Sequence, residues 1–85
     1  MYRVYVIQNP AGMLYIGLSE DIEVRLAQHN AGESKFTKGK GPWTFLWTSE
    51  AMSLHEARLF ENKLKKQKGG NGFWKLIGMP RSSVS

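Results

Sequence analysis

Two short runs of β-branched and aromatic residues, 2–8 (YRVYVIQ) and 13–18 (MLYIGL), are separated only by Asn9, Pro10, Ala11 and Gly12. Strand-like composition on both sides of a turn-forming stretch predicts an antiparallel hairpin. Immediately after it, Ser19 or Asp21 can cap a helix, and acidic residues in its first turn suit the positive end of the helix dipole. That helix is expected to run to about Asn30, with Gly32 able to end it.

The rest of the chain continues the alternation of elements. Residues 31–42 (AGESKFTKGKGP) read as a basic, glycine-rich loop. Residues 43–49 (WTFLWTS) read as a third strand, on which strict alternation sets Trp43, Phe45 and Trp47 on one face. Ser53 and Glu56 form a capping box for a second helix. The apolar stripe of that helix is Ala57, Phe60 and Leu64, with Leu54 at its edge, and it is expected to end near residues 69–72 (GGNG). Residues 73–80 (FWKLIGMP) are expected to form a short final helix that closes the core with Phe73, Trp74, Leu76 and Ile77. Residues 1–80 then make a single domain, and 81–85 (RSSVS) a flexible tail. The fold class that follows is α+β.

Composition excludes several classes of protein. The chain has no cysteine, which rules out disulfides and thiolate metal sites. Its apolar runs fall far short of the roughly 18 residues of a membrane helix. The alternating N-terminus lacks the apolar block of a signal peptide, so a cytoplasmic protein with no membrane partner is the expectation. The net charge is +5, but unevenly placed. Residues 1–34 carry Arg3 and Arg25 against Glu20, Asp21, Glu23 and Glu33; the other basic residues lie in 35–85, against only Glu50, Glu56 and Glu61. A basic surface attracts polyanions through counterion release and steering. Nucleic acid is therefore the expected class of partner, with DNA ahead of RNA.

Chemistry-bearing side chains gather where the hairpin meets the first helix. If the hairpin turn has an odd number of residues, for example Asn9 to Ala11, Tyr5 and Tyr15 fall directly opposite each other on one face; an even-numbered loop would separate them. Gly17 lets the backbone bend or approach a ligand closely. Arg25 and His29, one helical turn apart, project on a shared side. Two phenols, a guanidinium and an imidazole at a strand end can handle a phosphate. On the second helix, Glu61 falls beside Ala57 and Leu64, at the edge of the apolar stripe. An unpaired carboxylate is disfavoured there, so a metal ion or Arg25 is its expected partner.

In this order and at these spacings, the residues resemble the GIY-YIG nuclease superfamily. VYV at 4–6 and YIG at 15–17 look like its paired motif, and Arg25, ten residues after Tyr15, matches its arginine. The segment 56–66 (EARLFENKLKK) is similar to the family's second helix, with Glu61 at the metal-binding glutamate. The loop 35–43 (KFTKGKGPW) resembles that of the small stand-alone bacterial members. The resemblance spans about residues 3–68. Departures from the pattern are Arg3 where a glycine is usual, Leu18 after the second motif, and Phe73 where some members have an asparagine, Asn71 being nearest.

The resemblance implies a three-stranded antiparallel sheet flanked by helices. It also implies hydrolysis of nucleic-acid phosphodiesters with one divalent ion, Mg²⁺ or Mn²⁺. Arg25 would aim positive charge at the phosphate oxygens, and Glu61 would hold the metal. Tyr5 would serve as the base, and Tyr15 would orient water or touch the phosphate. A free phenol has a pKa of about 10, so Tyr5 would need nearby cations to lower it; His29, ordinarily about 6.5, can share or take that role. Expected nucleic-acid contacts are Gly17, Lys35, Thr37, Lys38, Lys40, Lys65 and Asn71, with Phe36 a stacking candidate.

Each residue also has an ordinary reading. The tyrosines can be half-buried strand residues, Arg25 can pair with Asp21, His29 can simply end its helix, and the lysines can form a solvated face. The expected function is a metal-dependent endonuclease on DNA, including branched or damaged DNA. The alternatives are a nucleic-acid-binding module with little or no catalysis and a purely structural domain. A homodimer or a partner protein for target recognition is left open.

Overall fold

In the computed structural model, residues 1–68 and 70–78 are described. The tail expected at 81–85 lies outside them. Three strands, β1 (Arg3–Gln8), β2 (Leu14–Ser19) and β3 (Thr44–Thr48), form one antiparallel sheet in the order β2-β1-β3. Three helices complete the α+β fold: α1 (Ile22–Asn30), α2 (Leu54–Lys66) and α3 (Asn71–Leu76).

The central strand explains the two-layered core. Val4, Tyr5, Val6 and Ile7 are all buried, because β1 is covered on both faces. On one face, Val4, Val6 and Ile16 pack with Ala57 and Leu64 of α2 and with Phe73, Trp74 and Ile77 around α3. On the other, Tyr5, Ile7 and Trp43 pack with Ile22 and Leu26 of α1, Phe45 and Tyr15. No helix among the described residues is long and apolar enough to cross a membrane.

The hairpin turn is odd-numbered, but centred one residue later than expected. Asn9 N–H donates to Met13 C=O (3.1 Å) and Gly12 N–H to Asn9 C=O (3.0 Å), with Gly12 at φ +83. A positive φ at the end of a three-residue loop is a glycine position in hairpins. Asn9 Oδ1 also accepts from Met13 N–H at 2.8 Å, which holds the turn. In consequence Tyr5 faces Gly17 and Tyr15 faces Ile7. The two phenols share a face as neighbours on the diagonal, not directly opposite.

The third strand corrects another expectation. Trp47 pairs with Val6, but Phe45 pairs with Ile7, so a bulge interrupts the register. One extra residue reverses the alternation of side chains. Trp43 and Phe45 therefore lie with Tyr5, whereas Trp47 lies on the opposite face and stacks on Phe60 at 5.7 Å between ring centroids.

Local signals placed the starts of α1 and α2, whereas α2 ends at Lys66, before the expected 69–72, and α3 begins at Asn71, ahead of the expected 73. Asp21, not Ser19, caps α1, accepting from Val24 N–H at 3.2 Å. That helix ends with Gly32 at φ +79, its N–H bonded to His29 C=O and Glu33 N–H to Gln28 C=O, the paired bonds of a Schellman motif. The Ser53–Glu56 box caps α2, with Glu56 N–H donating to Ser53 Oγ at 3.1 Å.

Candidate active site

The site is built from the inside outward, starting at Tyr5. Its ring lies over Gly17: a Cβ added at 17 would meet the phenol oxygen at 2.5 Å and Cζ at 2.7 Å. The space that glycine provides is thus filled by Tyr5, and the expectation that Gly17 admits a phosphate is corrected. The phenol oxygen is 2.8 Å from His29 Nε2, and His29 Nδ1 is 2.7 Å from Thr37 Oγ1. All three side chains are about 1% exposed. Tyr15 completes the group edge-on to the imidazole, with ring centroids 4.9 Å apart.

A second set of bonds holds Thr37 beneath the basic loop. Trp43 Nε1–H donates to Thr37 C=O at 3.1 Å. Asn30 grips the Trp43 backbone twice, its Nδ2 donating to Trp43 C=O and its Oδ1 accepting from Trp43 N–H. Asn9 Nδ2 donates to Lys40 C=O, and the Gly41–Pro42 peptide is cis. The loop at 31–42 is therefore tied to both the first helix and the hairpin turn.

Burial decides the protonation of this chain of groups. It pushes the Tyr5 pKa up to about 12, with Tyr15 and Glu61 adding to the rise and Arg25 opposing it. The expected lowering by cations is outweighed, because desolvation of a phenolate exceeds the guanidinium's attraction. Burial, then the Arg25 charge, lowers His29 below 6.5. A protonated phenol beside a neutral imidazole allows two tautomers: Tyr5 O–H donates to Nε2 and Nδ1–H to Thr37 Oγ1, or Nε2–H donates to the Tyr5 oxygen and Thr37 O–H to Nδ1.

Arg25 is half-buried and donates to Gln28 Oε1 at 2.8 Å; it forms no ion pair with Asp21. Its charge acts on both Tyr5 and His29. The Glu61 side chain is 14% exposed, and its charge also reaches Tyr5. Glu61 Oε2 is 3.4 Å from Lys65 Nζ, the partner it has in place of Arg25. No group of three histidine, cysteine, aspartate or glutamate side chains among the described residues could share a metal ion. A single carboxylate that keeps partial exposure still fits a hard cation that retains most of its water.

Of the expected nucleic-acid contacts, Lys35, Lys38, Lys40 and Lys65 are exposed. Thr37 is not available for such contact, because it is buried and bonded to His29. The side chain of Asn71 lies outside the described residues. The parts that sequence reasoning missed are the bond from Thr37 to His29 and the Asn30–Trp43 clamp. Neither has a local signal, since each spans eight or more residues through a loop.

Comparison with known proteins bears on the fold and the family. The family model described as the GIY-YIG catalytic domain matches residues 1–73. A UPF0213 protein of Halobacterium salinarum is 39% identical over 67 residues, covering 78% of this chain and 87% of the relative. A UPF0213 protein of Yersinia pestis is 36% identical over 67 residues, covering 78% and 70%. The solution NMR structure of a UPF0213 protein from Bacillus halodurans superposes with a TM-score of 0.51 at 30% identity, covering 81% of this chain and 76% of that one. The chain belongs to the GIY-YIG family of catalytic domains, a family of nuclease type.

Proposed function

We propose that the protein is a metal-dependent endonuclease that hydrolyses phosphodiester bonds in DNA. The observation that carries this reading is the 2.8 Å contact between the Tyr5 phenol and His29 Nε2, made within reach of the Arg25 charge. A phenol with a pKa of about 12 is a poor base by itself. Coupled to a neutral imidazole it becomes a relay. As the attacking water gives its proton to the Tyr5 oxygen, the phenol proton moves to His29 Nε2, and the charge settles on the imidazole.

The relay needs the tautomer with the proton on Nδ1, for which the Thr37 hydroxyl can serve as acceptor. Tyr15 packs the imidazole from the side, and its hydroxyl orients the water or touches the phosphate. Arg25 presents its planar donor fork to the non-bridging oxygens, where negative charge grows in the transition state. Glu61 is the residue to hold a divalent cation, Mg²⁺ or Mn²⁺, which when bound would act as a Lewis acid toward the leaving 3′ oxygen. The exposed Lys35, Lys38 and Lys40 would bind flanking phosphates.

The test is a cleavage assay on supercoiled, single-stranded and branched DNA and on RNA, with Mg²⁺, Mn²⁺ or EDTA. Cleavage by the wild type that is lost in Glu61→Gln and in EDTA is expected. Binding without cleavage under every condition would reduce the protein to a nucleic-acid-binding module.

A further inference from the structure

Tyr15 borders more than the imidazole. It also lines a cleft of about 270 Å³ whose other walls include Leu14, Trp43 and Phe36, and whose charged edge is Lys65 and Lys68. Phe36 is 70% exposed, and no other phenylalanine, tyrosine or tryptophan among the described residues is exposed. A single exposed apolar side chain is ordinary by itself; Phe36 matters because it stands on the wall of this cleft, beside Lys65 and Lys68. The ring is not on a loose loop tip, because the next residue, Thr37, is anchored through both its hydroxyl and its carbonyl. Phe36 is thus a ring held outward from a fixed backbone, with Lys35 and Lys38 exposed around it.

We propose that this cleft takes an unpaired nucleobase of the DNA strand bound at the candidate active site. The base stacks on Phe36, and its flanking phosphates lie against Lys65 and Lys68. This inference rests on the nuclease reading and adds to it the class of substrate: DNA with an unpaired base next to the cleaved bond. Charge and shape both select that occupant. The walls are apolar and aromatic, whereas the rim is cationic, the pattern that suits a π-face carried on a polyanion. A base inside a duplex has its faces covered by its neighbours and offers only its edges to the grooves. An unpaired base offers both faces. The cleft is also continuous with the catalytic group, since Tyr15 belongs to both.

The experiment is a binding titration in EDTA, so that cleavage plays no part. The probes are a single-stranded oligothymidylate, the same strand with one abasic position in each register, and a blunt duplex of equal length. Wild-type protein is expected to prefer the single strand. Phe36→Ala should lose about 5- to 150-fold in affinity for it, the contribution of one stacked base, with duplex affinity unchanged. Phe36→Trp should restore binding and Phe36→Leu should not, which separates stacking from simple apolar cover. Lys65→Ala and Lys68→Ala should each lower the salt dependence by about one ion.

Equal binding of single strand and duplex would overturn the proposal. So would wild-type affinity in Phe36→Ala, rescue by leucine as good as by tryptophan, or no binding at all. The nuclease reading fails separately: the binding pattern would then persist while Mg²⁺ or Mn²⁺ produced no cleavage.

Discussion

Gly17 faces Tyr5 across the hairpin, and the phenol occupies the space that any side chain at 17 would need. This pairing links the fold to the site, because the ring held over the glycine is the one bonded to His29. Gly17→Ala forces the ring to move within a core that is closed around it. A loss of about 1–3 kcal/mol is expected, or a fall in Tm of several degrees for a domain of this size. Urea and thermal unfolding read the effect directly; an unchanged Tm would mean the ring moves freely.

The Tyr5 phenol should ionise well above the ordinary phenol value of about 10. Ultraviolet titration is expected to show one component near 12, absent in Tyr5→Phe. The sign for stability follows from linkage. Between the unfolded value of 10 and the folded value of about 12, the folded chain holds more protons, so stability falls as pH rises through that window. Tyr5→Phe should also lower cleavage by at least about 100-fold, by removing the relay atom.

His29 governs the acid side. Its pKa lies below 6.5 in the folded protein, and only the neutral ring can accept a proton from Tyr5. Cleavage should therefore be level above pH 6.5 and fall below it. Stability follows the same direction: below 6.5 the unfolded chain binds the proton that the buried ring resists, so stability declines as pH falls toward the folded value. In His29→Gln the acid limb of the rate profile should vanish together with most of the activity. Survival of the acid limb in this variant would assign it to another group.

Thr37→Val removes the hydroxyl bonded to His29 Nδ1 and leaves that ring nitrogen buried without a partner. A cost of about 1–3 kcal/mol is expected, together with loss of a single His29 tautomer in the ¹⁵N spectrum of the imidazole. Cleavage should fall while Thr37→Ser, which keeps the hydroxyl, restores both the spectrum and the rate. An unaltered tautomer in Thr37→Val would remove Thr37 from the site.

What the sequence determined by itself is local. The hairpin follows from two β-rich runs around Asn9 to Gly12, the helix starts from Ser19 or Asp21 and from the Ser53–Glu56 box, and the end of α1 from Gly32. Each depends on groups only a few residues apart, within reach of propensity, capping and turn chemistry. The family motif also lies in the chain itself, since Tyr5, Tyr15, Gly17, Arg25 and Glu61 are identified by order and spacing.

The tertiary structure decided whatever depends on distant neighbours. A single-residue bulge moved Trp47 to the opposite face from Phe45, and a turn centred one residue later gave Gly17, not Tyr15, as the partner of Tyr5. Packing between sheet and helix buried Tyr5 and His29, and so set the directions of their pKa shifts. The same closure drew Thr37 inward and left Phe36 outward, one step apart in the chain. Burial and desolvation are properties of what surrounds a group in space, and no local pattern of residues encodes them.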